Sequence, residues 1–211
     1  ATASTQYTTS VGCNQDTPKA AINFNGTSQC LYVNSNYATT GFAPQTFSIE
    51  AWFRTGTTSN GKIIGFGTSR NGVSDTNWDR HVYIDRDGRV VFGVYPGVVR
   101  LVYTPAGRSY ADNQWHHVIA TLSSAGQSLY VDGTLAMSNA AVTSAEGVSG
   151  YWKVGCGNLA NWQNAATAAS GSAALDYSGP SYFTGQIQYA AVYTSVLNAT
   201  QVKEHYTAGL A

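Results

Sequence analysis

From Phe47 to Thr55 the chain alternates between two kinds of residue. Phe47, Ile49, Ala51 and Phe53 fall on one side; Ser48, Glu50, Trp52 and Arg54 fall on the other. A period of two predicts a β-strand with one buried face. Arg80–Tyr95 reads as a hairpin around Asp85-Arg86-Asp87-Gly88. With Gly88 in the left-handed position of a three-residue loop, Ile84 pairs with Val90 and Val82 with Phe92. Val82, Ile84, Val90, Phe92 and Val94 then share the core face. Asp79, His81, Tyr83, Val91 and Tyr95 take the other. A slip of one residue would split the apolar set, so the pattern itself selects the register.

The same reading predicts further strands. Val118–Leu122 and Ser128–Val131 flank a small polar bend, and Asp132-Gly133 supplies a tight turn. Ile22, Phe24, Leu31 and Val33 are strand-like around the Asn25-Gly26 turn. Gly61–Gly67, Tyr151–Gly155 and Tyr182–Tyr193 follow. Asn158–Pro180 reads as a long loop, a kind of segment usually functional or mobile. Residues 198–209 read as the one helix, with Asn198 as cap, Val202 and Tyr206 on one face and Gly209 as stop. The expectation is one all-β domain over residues 19–211, a two-sheet antiparallel sandwich with a short C-terminal helix. Residues 1–18 form a lead-in segment.

Composition narrows the partners. Eleven basic and eleven acidic residues cancel, and charged residues make up only 10%. With no basic run, nothing favours a nucleic-acid backbone or an anionic membrane surface. No apolar stretch approaches the ~18 residues of a membrane span. The start, Ala1-Thr-Ala-Ser-Thr, lacks a basic or apolar leader region and reads as a mature or cut N-terminus. Abundant Gly, Ser, Thr, Asn and Tyr suit an extracellular β protein. Of the three cysteines, Cys13 and Cys30 would close a short loop and are the favoured pair. The alternative is three thiols in a reducing compartment.

Candidate chemistry is sparse. Adjacent His116 and His117 point to opposite faces and cannot converge on one ion. They read as structural. Glu50 reads as a solvated or salt-bridged carboxylate beside Trp52. Asp85-x-Asp87-Gly88 lacks the remaining ligands of an EF-hand loop. Trp52, Trp115 and Trp152 sit in strand-like runs and read as core. Trp78, Tyr95, Trp162 and Tyr182 lie in or beside loops, where rings stack on sugar faces.

The ordered motifs carry a resemblance. F-S-I-E-A-W-F (Phe47–Phe53), G-K-I-I-G-F-G (Gly61–Gly67), D-R-H-V-Y (Asp79–Tyr83) and F-G-V-Y-P-G (Phe92–Gly97) come first. W-H-H-V (Trp115–Val118), L-Y-V-D-G (Leu129–Gly133), G-Y-W-K-V-G (Gly150–Gly155), N-L-A-N-W (Asn158–Trp162) and H-Y-T-A-G (His205–Gly209) follow. Together, over about Ala20–Gly209, they resemble the bacterial laminin-G-like (LamG, concanavalin A-like lectin/glucanase) jelly roll. One departure is Gly185-Gln-Ile-Gln-Tyr-Ala, where that family commonly reads G-x-I-D-E-V.

The resemblance implies a secreted or cell-surface module that binds and does not catalyse. The E-x-D-x-x-E motif of retaining glucanases on this fold, which would set two carboxylates about 5 Å apart, is absent. No cofactor is required. Such domains often hold one calcium ion, for which Asp75, Asp79 and Asp176 are the candidates. The expected function is carbohydrate binding or adhesion through Trp78, Asp79, His81, Tyr83, Tyr95, Asn158 and Trp162. The partner would be a glycoconjugate, with other domains of a larger surface protein as neighbours. The alternative is a structural or protein-binding spacer of a bacterial surface protein. A glycan-active enzyme with an unfamiliar site ranks last.

Overall fold

The structure is a computed structural model. It describes residues 7–9, 20–32, 43–59, 61–70 and 72–210. Along the chain run β1 (Tyr7–Thr9), β2 (Ala20–Asn25), β3 (Leu31–Tyr32), β4 (Phe47–Arg54), β5 (Gly61–Gly67), β6 (Trp78–Ile84), β7 (Val90–Val94) and β8 (Arg100–Tyr103). Then come β9 (Trp115–Ser123), β10 (Gly126–Val131), β11 (Thr134–Asn139), β12 (Tyr151–Val154), β13 (Cys156–Asn158), α1 (Ala165–Ala169), β14 (Pro180–Tyr182), β15 (Thr184–Tyr193) and α2 (Ala199–Leu210). They form a seven-stranded sheet ordered β1-β2-β15-β4-β9-β10-β11 and a six-stranded sheet ordered β3-β12-β5-β6-β7-β8. The strand pairs are antiparallel. The expected sandwich is the observed one.

The main core lies between the two sheets. Phe47, Ile49, Ala51 and Phe53 of β4 meet Val82, Ile84, Val90 and Phe92 of the β6–β7 hairpin there. Ile84 pairs with Val90 and Val82 with Phe92, and Gly88 has φ 77°, as the alternation predicts. Arg80 departs from simple parity. Between Ile64↔Val82 and Phe66↔Asp79 the register slips, and Arg80 adopts φ 55°. This bulge turns the guanidinium onto the rings of Phe47 and Phe66, 5.7 and 5.6 Å from their centroids.

Neither sheet leaves its back face bare. Against the seven-stranded sheet lies α2, with Leu197 and Val202 on Ile119. Asn198 caps it as expected: its Oδ1 accepts the Gln201 N–H at 3.0 Å. Against the six-stranded sheet lies the 158–180 segment. Instead of a plain loop, this segment carries α1 and the start of β14, which pairs with β13. Leu159, Trp162, Ala165 and Tyr177 pack on Tyr83 and Val91 as a second core.

The disulfide expectation is corrected. Cys30 pairs with Cys156, with Cα atoms 5.2 Å apart, while Cys13 lies outside the described residues. The reason is β3, two residues long, whose Leu31 reads as strand-like but whose partner strand no local pattern names. Its pairing of Leu31 with Val154 brings Cys30 beside the chain leaving β12.

Candidate functional site

Trp162 decides which part of the anticipated binding face survives. Across the hairpin His81 faces Gly93. A methyl group on Gly93 would lie 2.3 Å from Trp162 Cζ3, so glycine here admits the indole close to the sheet. Trp162 then meets the His81 ring edge-on, 4.5 Å between centroids. Further along, the Tyr83 hydroxyl donates to the Gln163 carbonyl at 2.5 Å. Asp85 ties the hairpin turn to the segment: Oδ1 accepts the Asp87 and Arg89 N–H groups, and Oδ2 accepts that of Ala165 at 2.9 Å.

The expected open platform is therefore corrected. His81, Tyr83 and Asp79 are fully buried and Trp162 is 2% exposed. Burial pushes the His81 pKa well below 6.5, and the neighbouring Lys62, Lys153 and Arg80 charges add to the shift. It is a neutral ring under a tryptophan. Burial likewise pushes Tyr83 well above 10.0. Asn158 braces the covering segment, its Oδ1 accepting the Ala160 N–H and its carbonyl accepting Lys62 Nζ at 3.2 Å.

What stays open is the rim. Trp78, Tyr95 and Trp162 line a pocket of about 200 Å³ with Asn77, Glu146 and Asn161. A groove of about 720 Å³ continues from it past Tyr95, Val99 and Asn161 to Arg100, Tyr103 and Asn139. The Trp78 indole N–H donates to the Ala160 carbonyl at 2.9 Å, fixing the ring at the pocket wall. Asn77 Nδ2 donates to Glu146 Oε1 at 2.8 Å. Asn161 holds φ 65°, a left-handed conformation that asparagine tolerates better than most residues. Such strained positions cluster at ligand sites.

Asp79 works beneath this pocket rather than in it. Its Oδ1 accepts the N–H groups of Arg80 and Tyr95, both at 2.7 Å. Its Oδ2 accepts Arg80 Nη1 at 2.8 Å and the Glu146 N–H at 2.7 Å. Burial raises its pKa from 3.8, while Arg80 and the three N–H donors pull it back down. One buried carboxylate thus sets two residues of the rim. Asn77, Glu146 and Asn161 were missed in the sequence because only the folded rim brings them together. Asn161, sandwiched between Ala160 and Trp162, was the one with a local signal.

The calcium candidates do not fit a calcium site as they stand. Asp75 meets Lys153 Nζ at 2.6 Å through both oxygens and accepts the Ser69 N–H. Asp79 is taken up by Arg80. Asp176 Oδ2 accepts the Asn164 N–H at 2.7 Å. Among the described residues no three His, Cys, Asp or Glu side chains gather as a metal set. His116 and His117 part to opposite faces: His116 bonds Asp112 and Asp132, His117 bonds Glu50.

The family profile of the concanavalin A-like lectin/glucanases superfamily, a laminin G profile, matches residues 24–203. This chain belongs to that superfamily. Solved laminin-G-like and related structures share the fold at low identity. A pentraxin from Limulus polyphemus is 16% identical, with TM-score 0.58, over 87% of this chain and 79% of its own. Domain 4 of the arabinanase AbnA from Geobacillus stearothermophilus, solved with arabinotriose, is 14% identical, with TM-score 0.57, over 95% and 80%. Mouse laminin α1 domains LG4-5 are 21% identical, with TM-score 0.54, over 84% of this chain and 44% of theirs. No curated protein matches significantly.

Proposed function

We propose that this laminin-G-like domain is a non-catalytic, extracellular carbohydrate-binding module, and that the Trp78–Tyr95–Asn161 rim is its site. The carrying observation is the pairing of two partly open rings with amide and carboxylate groups around a pocket sized for one sugar residue. Rings take the C–H face of a pyranose, and planar polar groups hold the hydroxyls. Among the described residues Glu146 is the one carboxylate lining the pocket, which does not supply the paired carboxylates of glycoside hydrolysis. That the AbnA domain was solved with arabinotriose supports a glycan reading. A disulfide between Cys30 and Cys156 suits an oxidising, extracellular setting.

The test is a glycan array with the wild-type domain, Tyr95→Ala and Asn161→Gly. Glycine accepts the φ of Asn161 and removes only the amide, so this variant keeps its fold. Wild-type binding that both variants lose supports the site. Binding unchanged in both sinks it. A wild-type domain silent toward every glycan leaves the protein-binding spacer as the better reading.

A further inference from the structure

Across the sandwich from the rim, a second pocket of about 590 Å³ opens between α2 and β15. Its volume falls in the range of small-molecule sites. Glu50 and Glu204 line it, and among the described residues neither Lys nor Arg does. Four rings, those of Trp52, Tyr189, Tyr193 and His205, contribute to the walls, and alanine and glycine make up the remainder. Opposite Glu50 the β15 register slips between Gln188 and Ala191. Tyr189, at φ 49°, sits in this bulge and is 42% exposed. Bulges of this kind re-aim side chains beside functional sites.

Glu50 is held in an unusual way. Oε1 accepts His117 Nε2 at 2.8 Å, Oε2 accepts the Tyr193 hydroxyl at 2.6 Å, and His205 Nδ1 lies 3.2 and 3.0 Å from the two oxygens. Burial alone would raise its pKa, but these donors more than reverse that and hold it ionised below 4.5. The carboxylate has about four acceptor positions, and these donors engage them. What Glu50 still offers is its charge, on a carboxylate that is itself buried at the pocket floor.

We propose that this pocket binds a quaternary ammonium group carried on an apolar body. Such a cation needs no acceptor, so the saturated carboxylate suits it. Tyrosine faces attract it, and the alanine and glycine walls take its methyl groups. A primary amine would arrive with N–H groups and find Glu50 already occupied. An anion would meet two carboxylates.

Calorimetry on the whole domain tests this with three probes that share one ring: benzyltrimethylammonium, benzyl alcohol and phenylacetate. The cation is expected to bind at one equivalent, the alcohol at least tenfold more weakly, and phenylacetate not at all. Ala208 lines the pocket from the exposed side of α2. Ala208→Trp should block binding, and Glu204→Gln should weaken it severalfold, neither disturbing the core. No saturation by the cation at millimolar concentration, equal binding of the alcohol, or undiminished binding in Ala208→Trp would each overturn the proposal. None of these results depends on whether the rim binds sugar.

Discussion

The buried Asp79 carboxylate accepts the backbone N–H of Tyr95 at 2.7 Å, so the ring that fronts the rim pocket is positioned by a charge that lies beneath that pocket and does not line it. Its partner Arg80 is also fully buried. Removing one member of a buried pair strands the other, at about 3–5 kcal/mol. Asp79→Asn should therefore lower stability by that order, and Tyr95 should lose its place with it. Chemical denaturation checks the first effect, and glycan affinity of the surviving folded fraction checks the second. A neutral outcome in denaturation would mean that Asp79 does not hold this rim together.

Trp162 covers His81 and joins the second core. Trp162→Ala should cost about 3–5 kcal/mol, as for other large buried rings. It should also speed amide exchange across residues 158–180 ahead of global unfolding. A cost near zero with unchanged exchange would show that the segment is held to the sheet by its hydrogen bonds alone.

The hairpin register was legible from Val82 to Phe92 because strand parity is a local property. The same parity says which residues share a face but not what covers that face. His81 and Tyr83 looked outward correctly, and then a segment some eighty residues later, with no strand or helix periodicity, closed over them. Glu50, on the outward parity of β4, met the same fate under α2, while Trp52 is buried as its strand-like run predicts. That helix was visible from its Asn198 cap and its Val202–Tyr206 face, but its docking place was not. Asp79 was misjudged for another reason: the bulge at Arg80 changes which groups a carboxylate can reach. The pocket at the rim combines residues 77, 95, 146 and 161, and no spacing rule links them.

The Cys30–Cys156 bridge spans 126 residues. In the chain-entropy account a loop of this size contributes about 4–5 kcal/mol by restricting the unfolded chain. Cys156→Ser should lower the unfolding free energy toward that extent, and Cys30→Ser by a similar amount. The double variant should cost no more than either single one. Alkylation before and after reduction, followed by peptide mass analysis, should find Cys30 and Cys156 protected together. Labelling of either before reduction would refute the pairing.

His116 offers a pH signature. Burial would lower its pKa, but Asp132 at 2.9 Å and Asp112 at 3.0 Å outweigh burial and raise it above 6.5. A histidine whose folded pKa is raised gives its stabilisation fully below the unfolded value, and that share is lost as pH rises through the folded one. Buried Lys62 and Lys153, whose pKa values burial lowers, act with the opposite slope, so the total profile would mix them. The difference between wild type and His116→Asn isolates the imidazole. That gap in unfolding free energy should be widest below about pH 6.5 and narrow steadily above it. A gap that widens with pH would mean that the folded protein prefers His116 neutral, and that its two aspartates do not act as its counter-charges.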